Sequence, residues 1–339
     1  MLMFKLQPAK PLPIKLFSIK QWTITLTALM MLSAASPSLA KDVLITPLGS
    51  HEGEFCKFDR AMILEDPDGT RLLYNPGMTV AGADDPRLGD IDAVLVSHMH
   101  GDHVGARHMK AVNAATCDSP DVSVTATPNT NAVNIALKKK AKIITGSEMP
   151  KFFATKLKSL GGDPADSILV RFGASTKIGG VSVTTVPAVH SNGISGGMIG
   201  GDLGHMLDAA GLTAYAGPPT GYVLTFSNGL VIYLSGDTGI TAEQETVVRN
   251  HYQVKVAVIN IGDTFTTGPK EAAYVINELV KPVTVIPSHA NEASTKDGKV
   301  IAGTRTATFI EETRALSILP LSGRTMSFDS SGKCSKGCR

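Results

Sequence analysis

From Ala93 the chain passes through a short apolar stretch to Ser97 and then straight into His98-Met99-His100-Gly101-Asp102-His103. Four potential metal ligands within six residues, at the carboxyl end of a buried-type strand, demand a fold that can hold such a loop at the mouth of a sheet. Imidazoles at alternate positions can reach one ion, while the Asp and the last His turn toward a second. Gly101 gives the backbone freedom for that turn. A solvated His-rich loop would not follow directly on an apolar strand, so density and context together read as a metal site.

The rest of the chain alternates strands with helices. Strand patterns fall at Val43–Thr46, Ala61–Glu65, Arg71–Tyr74, Val122–Ala126, Val181–Val186, Tyr222–Phe226, Leu230–Leu234, Val256–Ile261 and Val283–Ile286. Helical spacing appears at Val104–Ala115, Glu148–Leu160, Ala242–Asn250, Lys270–Val280 and Thr304–Leu316. Strands crowd the first half and mix with helices in the second, which fits two sheets flanked by helices better than a barrel. There is no short-period repeat and no long linker, so one domain over 41–330 is the economical reading, with 331–339 as a short Cys-containing tail.

Three more strands deliver chemistry at their ends. They bring His190 before Ser191-Asn192-Gly193, Asp237 inside Ser235-Gly236-Asp237-Thr238-Gly239, and His289 inside Pro287-Ser288-His289-Ala290. A lone residue of this kind is usually structural, but three in order after the dense motif are harder to dismiss. That order resembles the metallo-β-lactamase superfamily, whose pattern is His-x-His-x-Asp-His, then a His, an Asp and a final His on separate loops. All seven positions match. Ala188-Val189-His190-Ser191, Gly221-Tyr222-Val223, Ile232-Tyr233 and Phe265-Thr266-Thr267-Gly268-Pro269-Lys270-Glu271-Ala272-Ala273 resemble its lactonase-like branch, related to ascorbate-6-phosphate lactonase. The similarity covers most of residues 43–328 and is best from 181 to 289.

The resemblance implies an αββα sandwich of two mixed sheets flanked by helices. It assigns His98, His100 and His190 to one ion and Asp102, His103 and His289 to another, with Asp237 bridging. Asp102 and Asp237 are then the catalytic carboxylates. Two divalent ions are implied, zinc first from the nitrogen-rich donors, with manganese or iron as alternatives. Such a pair generates hydroxide at neutral pH to attack a carbonyl carbon or phosphorus, with no separate general base required. No Cys lies near a metal loop, unlike the zinc β-lactamases with a cysteine ligand, so β-lactam hydrolysis is not the default. A small ester or lactone is the leading substrate class and a phosphodiester the second; a non-catalytic periplasmic metal- or ligand-binding protein is the rival from another class.

Composition removes other options. With hydrophobic residues at 43% and charged residues at 18%, the chain has core enough to fold. Its net charge of +2 is misleading, because residues 1–40 hold Lys5, Lys10, Lys15 and Lys20 and no acid. The remainder is slightly acidic, which argues against a nucleic-acid partner. Lys138-Lys139-Lys140 with Lys142 reads as a solvated helix end. The lysine-bearing start, the apolar run Trp22–Ala35 and Ser38-Leu39-Ala40 read as a signal peptide cleaved after Ala40. The expected product is periplasmic or secreted, without stable membrane insertion. Export gives meaning to Cys56, Cys117, Cys334 and Cys338; sequence proximity favours Cys334 with Cys338, leaving Cys56 with Cys117.

Some features compete with this reading. Gly193-Ile194-Ser195-Gly196-Gly197 matches a serine-hydrolase nucleophile pattern, but a glycine-rich stretch follows where that pattern needs a helix. His51, His108 and His251 read as surface or structural. His205, beside Asp202, is less bland; with Tyr215 and Asp263 it is a candidate for substrate contact. Asp263 could also hold a metal-bound histidine through a hydrogen bond. The long connection 191–221, its glycine-rich start suggesting a hinge, reads either as a lid over the site, its apolar residues Met206, Leu207, Leu212 and Tyr215 covering a small substituent, or as a surface insertion packed elsewhere.

Overall fold

Alternation along single strands sets the layers. In Val43–Pro47 the first, third and fifth residues are buried and the others half-buried, the period of a strand with one face on a core. Longer buried runs, such as Val256–Asn260, mark strands covered on both faces. The computed structural model describes residues 41–338, so the expected signal peptide at 1–40 lies outside the described residues.

Two mixed sheets result. The first has eight strands in the order Cys334–Lys336, Met326–Phe328, Val43–Pro47, Met62–Glu65, Arg71–Tyr74, Ala93–Leu95, Lys142–Thr145 and Ser167–Leu169. Its pairings are antiparallel up to Arg71–Tyr74 and parallel beyond it. The second has seven, in the order Leu316–Ser317, Thr284–Ser288, Val256–Asn260, Val231–Leu234, Thr220–Thr225, Val181–Pro187 and Ser175–Ile178. Its first four strands are parallel and the rest antiparallel.

Neighbouring residues on one strand serve different layers. Leu72 and Leu95 face the second sheet and meet Val183, Leu224 and Ile232, while Leu73 and Val94 face helices Asn131–Lys139 and Met149–Ser159 through Val133, Ala136, Phe153 and Leu157. On the other side Tyr233, Ala257 and Ile259 pack on Ala273, Ile276 and Phe309, from the helical segments Pro269–Tyr274, Val275–Val280 and Arg305–Glu312. The chain is an αββα sandwich, as the resemblance implied.

The sheets are bolted together beneath the loops that carry the candidate ligands. Tyr222, fully buried in the second sheet, donates its hydroxyl toward Val96 O at 2.7 Å and Ile144 O at 2.9 Å in the first. In return Tyr74 of the first sheet accepts the Gly236 N–H at 3.0 Å, beside Asp237. Each such bond contributes about 1 kcal/mol, but their greater effect is to fix the loops on both sheets in one register. Gly236 itself has φ +61, and a Cβ there would meet Thr220 O at 2.9 Å and Ser97 Cβ at 3.0 Å, so the turn into Asp237 requires glycine.

Three expectations need correction. The helical spacing at Val104–Ala115 does not make a helix: the helix is Gly101–Val104, and Gly105 ends it in the left-handed region at φ 74. Beyond it come a two-residue strand, Arg107–His108, and irregular chain in which Asn113 and Ala115 are also at positive φ. Second, the glycine-rich connection after His190 is ordered: short strands Gly193–Ile194 and Ala214–Tyr215 pair, and helices Gly196–Ile199 and Gly201–Ala209 lie between them. Third, the tail is part of the first sheet, because Cys334–Lys336 pairs with Met326–Phe328 and Thr284 Oγ1 donates to Gly332 O at 2.8 Å. Both disulfides favoured by sequence proximity, Cys56–Cys117 and Cys334–Cys338, are present.

Candidate metal centre

Four strands end at one edge of the sandwich, and their following turns bring seven ligand-type side chains together. His98, His100, Asp102 and His103 follow Ala93–Leu95; His190 follows Val181–Pro187, Asp237 follows Val231–Leu234, and His289 follows Thr284–Ser288. Three groupings each have ligand-capable atoms within 4.8 Å of one another: His98, His100 and His190; His98, His103 and Asp237; and Asp102, His103 and His289. Asp237 Oδ2 is the centre of the array, 3.0 Å from His289 Nε2, 3.1 Å from His103 Nε2, 3.8 Å from His98 Nε2 and 3.9 Å from His190 Nε2.

The donor states suit a divalent cation. Burial, reinforced by neighbouring imidazoles, pushes the His98, His100 and His190 rings below the usual histidine range, so they are neutral at pH 7 and keep a lone pair. Burial alone would raise the Asp237 and Asp102 carboxyls. His103 and His289 beside Asp237, and Arg60 with His103 beside Asp102, outweigh it and hold both carboxyls well below their ordinary range. His98 Nε2 and His103 Nε2 are buried without a hydrogen-bond partner, a costly arrangement for structural histidines and a fitting one for ligands. His289 sits at φ 54, a left-handed conformation that a non-glycine residue holds only when its surroundings impose it.

Residues that the sequence did not single out orient these ligands. Ser97 Oγ lies 3.0 Å from His98 Nδ1 and 3.4 Å from His103 Nδ1, so the far nitrogen of each ring faces a polar partner. Asn75 completes this corner: its Oδ1 accepts from Ser97 N at 2.9 Å, and its Nδ2 lies 2.9 Å from His103 Nδ1. Asn192 Oδ1 accepts from Met99 N at 2.8 Å and its amide donates to Gly217 O at 2.9 Å, pinning the backbone between His98 and His100. Arg60, almost fully buried, places Nη2 2.9 Å from Asp102 Oδ2, 2.8 Å from His289 Nε2 and 2.8 Å from Asn291 Oδ1.

A cavity of about 580 Å³ opens onto this array. Its wall includes His100, Asp102, His190, Asp237 and His289, the basic side chains of Lys57, Arg60 and Arg305, and the apolar surfaces of Phe58, Met78 and Phe265. Asp263 lines it too, with Oδ1 accepting from Thr264 N at 2.7 Å rather than from a ligand histidine. Tyr215 borders a neighbouring cleft that it shares with His190 and Ser191. His205 stands on the exposed side of Gly201–Ala209 and lines neither. From the expected lid only Ser191 reaches the main cavity; Ile194 and Met198 are instead buried against the helix layer beside Val104 and Phe153. A short strand and a four-residue helix do flank Ser195, yet no hydrogen bond among the described residues joins it to a histidine.

Comparison with known proteins agrees with this architecture. The family model described as a beta-lactamase superfamily domain matches residues 70–290. A UPF0173 metal-dependent hydrolase of Polynucleobacter asymbioticus is 30% identical over 239 residues, 67% of this chain and 70% of its own length. One from Koribacter versatilis is 27% identical over 237 residues, 69% of this chain and 82% of that protein. Among solved structures, Igni18, a metallo hydrolase from Ignicoccus hospitalis, is similar with a TM-score of 0.55 at 20% identity, over 84% of this chain and 99% of its own. YhfI of Bacillus subtilis, described as a metallo-beta-lactamase fold protein, has a TM-score of 0.50 at 11% identity, over 85% of this chain and 99% of its own. Likenesses at those identities speak for the fold.

Proposed function

Because the chain belongs to the beta-lactamase superfamily, through a domain match over residues 70–290, we propose that it is a metal-dependent hydrolase opening a small ester or lactone at a two-metal centre. The observation that carries this reading is Asp237, one of whose oxygens lies within 3.9 Å of imidazole nitrogens from both histidine groups. His98, His100 and His190 would hold one ion, Asp102, His103 and His289 the other, and Asp237 both, with zinc first on donor chemistry. When bound, such ions supply Lewis acidity and lower the pKa of water.

The protein's own residues do the rest. Asp102 is ionised and a quarter exposed to the cavity, against 4% for Asp237, so it can accept a hydrogen bond from incoming water. Phe58, Met78 and Phe265 offer apolar surface to an acyl or ring portion and exclude bulk water from it. Asp263 is the candidate for a polar contact on the same wall. Lys57 and Arg305 also line the cavity, which favours a phosphodiester as the second reading. The N-terminal region is proposed to direct export, with cleavage after Ala40. The two disulfides support an oxidising destination. Mass spectrometry of the processed chain, expected to begin at Lys41, tests that step.

Turnover of a generic aryl ester or lactone should stop on chelation and return with added zinc. His98→Ala and Asp237→Ala should each lose metal and about 100-fold or more in kcat/KM. Full metal and full activity in both variants would overturn the centre. Bound metal without turnover of lactones, aryl esters, phosphodiesters or β-lactams would point to a binding protein instead.

A further inference from the structure

The two candidate ligand groups differ in the charge set against them. His98 Nε2 has no hydrogen-bond partner, and no basic side chain is paired with His98, His100 or His190 among the described contacts. The other group is already engaged. Arg60 Nη2 lies 2.8 Å from His289 Nε2 and 2.9 Å from Asp102 Oδ2. The remainder of its guanidinium is weakly held: Nε is buried without a partner, and Nη1 reaches only Lys57 O at 3.5 Å. The Arg60 tip is therefore aimed at two candidate metal ligands, with Asn291 Oδ1 at 2.8 Å as its one further acceptor.

An imidazole Nε2 has one lone pair. A guanidinium nitrogen 2.8 Å from that atom stands where a cation would have to approach, and its charge repels one. We propose that Arg60 is a built-in competitor for the second metal: it makes the centre load one ion tightly at His98, His100 and His190 and the other weakly at Asp102, His103 and His289. This rests on the metal-centre reading above and adds that Arg60 sets the order and spacing of the two binding steps. Loading the second group requires the guanidinium to leave His289 and Asp102, at the cost of charge-assisted hydrogen bonds.

Equilibrium dialysis of the full chain against buffered free zinc, with bound metal counted by mass spectrometry, tests this without reference to activity. The wild type should bind in two steps separated by about 10- to 100-fold in free zinc. Arg60→Met should move the second step toward the first and leave the first in place, and Arg60→Lys, which keeps the charge, should fall between. His289→Ala should erase only the weak step, and His190→Ala should weaken the tight one. Two ions taken up in one step by the wild type overturns the proposal whether or not the variants fold. So does a second step that Arg60→Met leaves unmoved or weakens. If the wild type binds no zinc at all, the metal-centre reading itself fails, a result distinct from two equal sites.

Discussion

Asp59 shows how one buried carboxyl couples this wall of the cavity to pH. Its Oδ1 accepts from Ser50 N at 2.9 Å and its Oδ2 from Cys56 N at 2.8 Å, immediately before Arg60. Burial raises it to about 6, against the lowering effect of those N–H donors and of Arg60. A folded-state pKa above the unfolded 3.8 means that its stabilising contribution is complete below about pH 3.8 and is lost as pH rises through about 6. Relative to Asp59→Asn, the wild type should lose about 2 kcal/mol of unfolding free energy between pH 4 and pH 7. Urea denaturation of both proteins across that range measures it, and parallel profiles would contradict it. At this scale the candidate ligands were legible because they stand in order at the ends of apolar strands. Arg60, Ser97, Asn75 and Asn192 were not. They are common residue types whose roles arise only when the chain returns to them, as Arg60 meets His289 across 229 positions.

Among elements, the paired helices after His190 show why glycine content misled. Glycine suggested a hinge, yet Gly196 and Gly204 are where two helices pack: a Cβ at Gly196 would lie 2.2 Å from Gly204 O, and one at Gly204 would lie 2.4 Å from Gly196 O. Close backbone approach, not freedom, is what glycine supplies here. The buried and exposed apolar residues of this unit should then behave differently. Met198→Ala, at 2% exposure, should cost about 2–5 kcal/mol of stability. Leu203→Ser and Met206→Ser, at 60% and 68% exposure, should stay within about 0.5 kcal/mol. Chemical denaturation distinguishes them; a large loss at Met206 would show that its side chain is covered. The absent helix at 104–115 was legible in principle, since Gly105 one residue beyond Val104 is a stop signal, but the apolar spacing outvoted it.

For the whole molecule, strand periodicity carried the architecture, because alternation fixes which face each residue serves and two sheets with covered outer faces leave few arrangements. The partnering of the two sheets was invisible in that pattern: Tyr222 and Tyr74 read as ordinary aromatic core residues until their hydroxyls were placed. The first sheet also ends in a strand that the pattern missed. Cys334–Lys336 covers Met326–Phe328, whose Met326 and Phe328 side chains are fully buried, and the Cys334–Cys338 bridge closes the chain just beyond it. A sheet margin offers open N–H and C=O groups to any passing chain, and short, curled or covered margins blunt that invitation. Removal of residues 331–339 should therefore turn a well-behaved protein into a self-associating one, seen as rising light scattering on storage while the intact chain stays flat. Equal scattering from both would mean that the margin needs no cover. The last few residues thus act as a selvedge: they finish the woven edge so that one molecule does not become the template for the next.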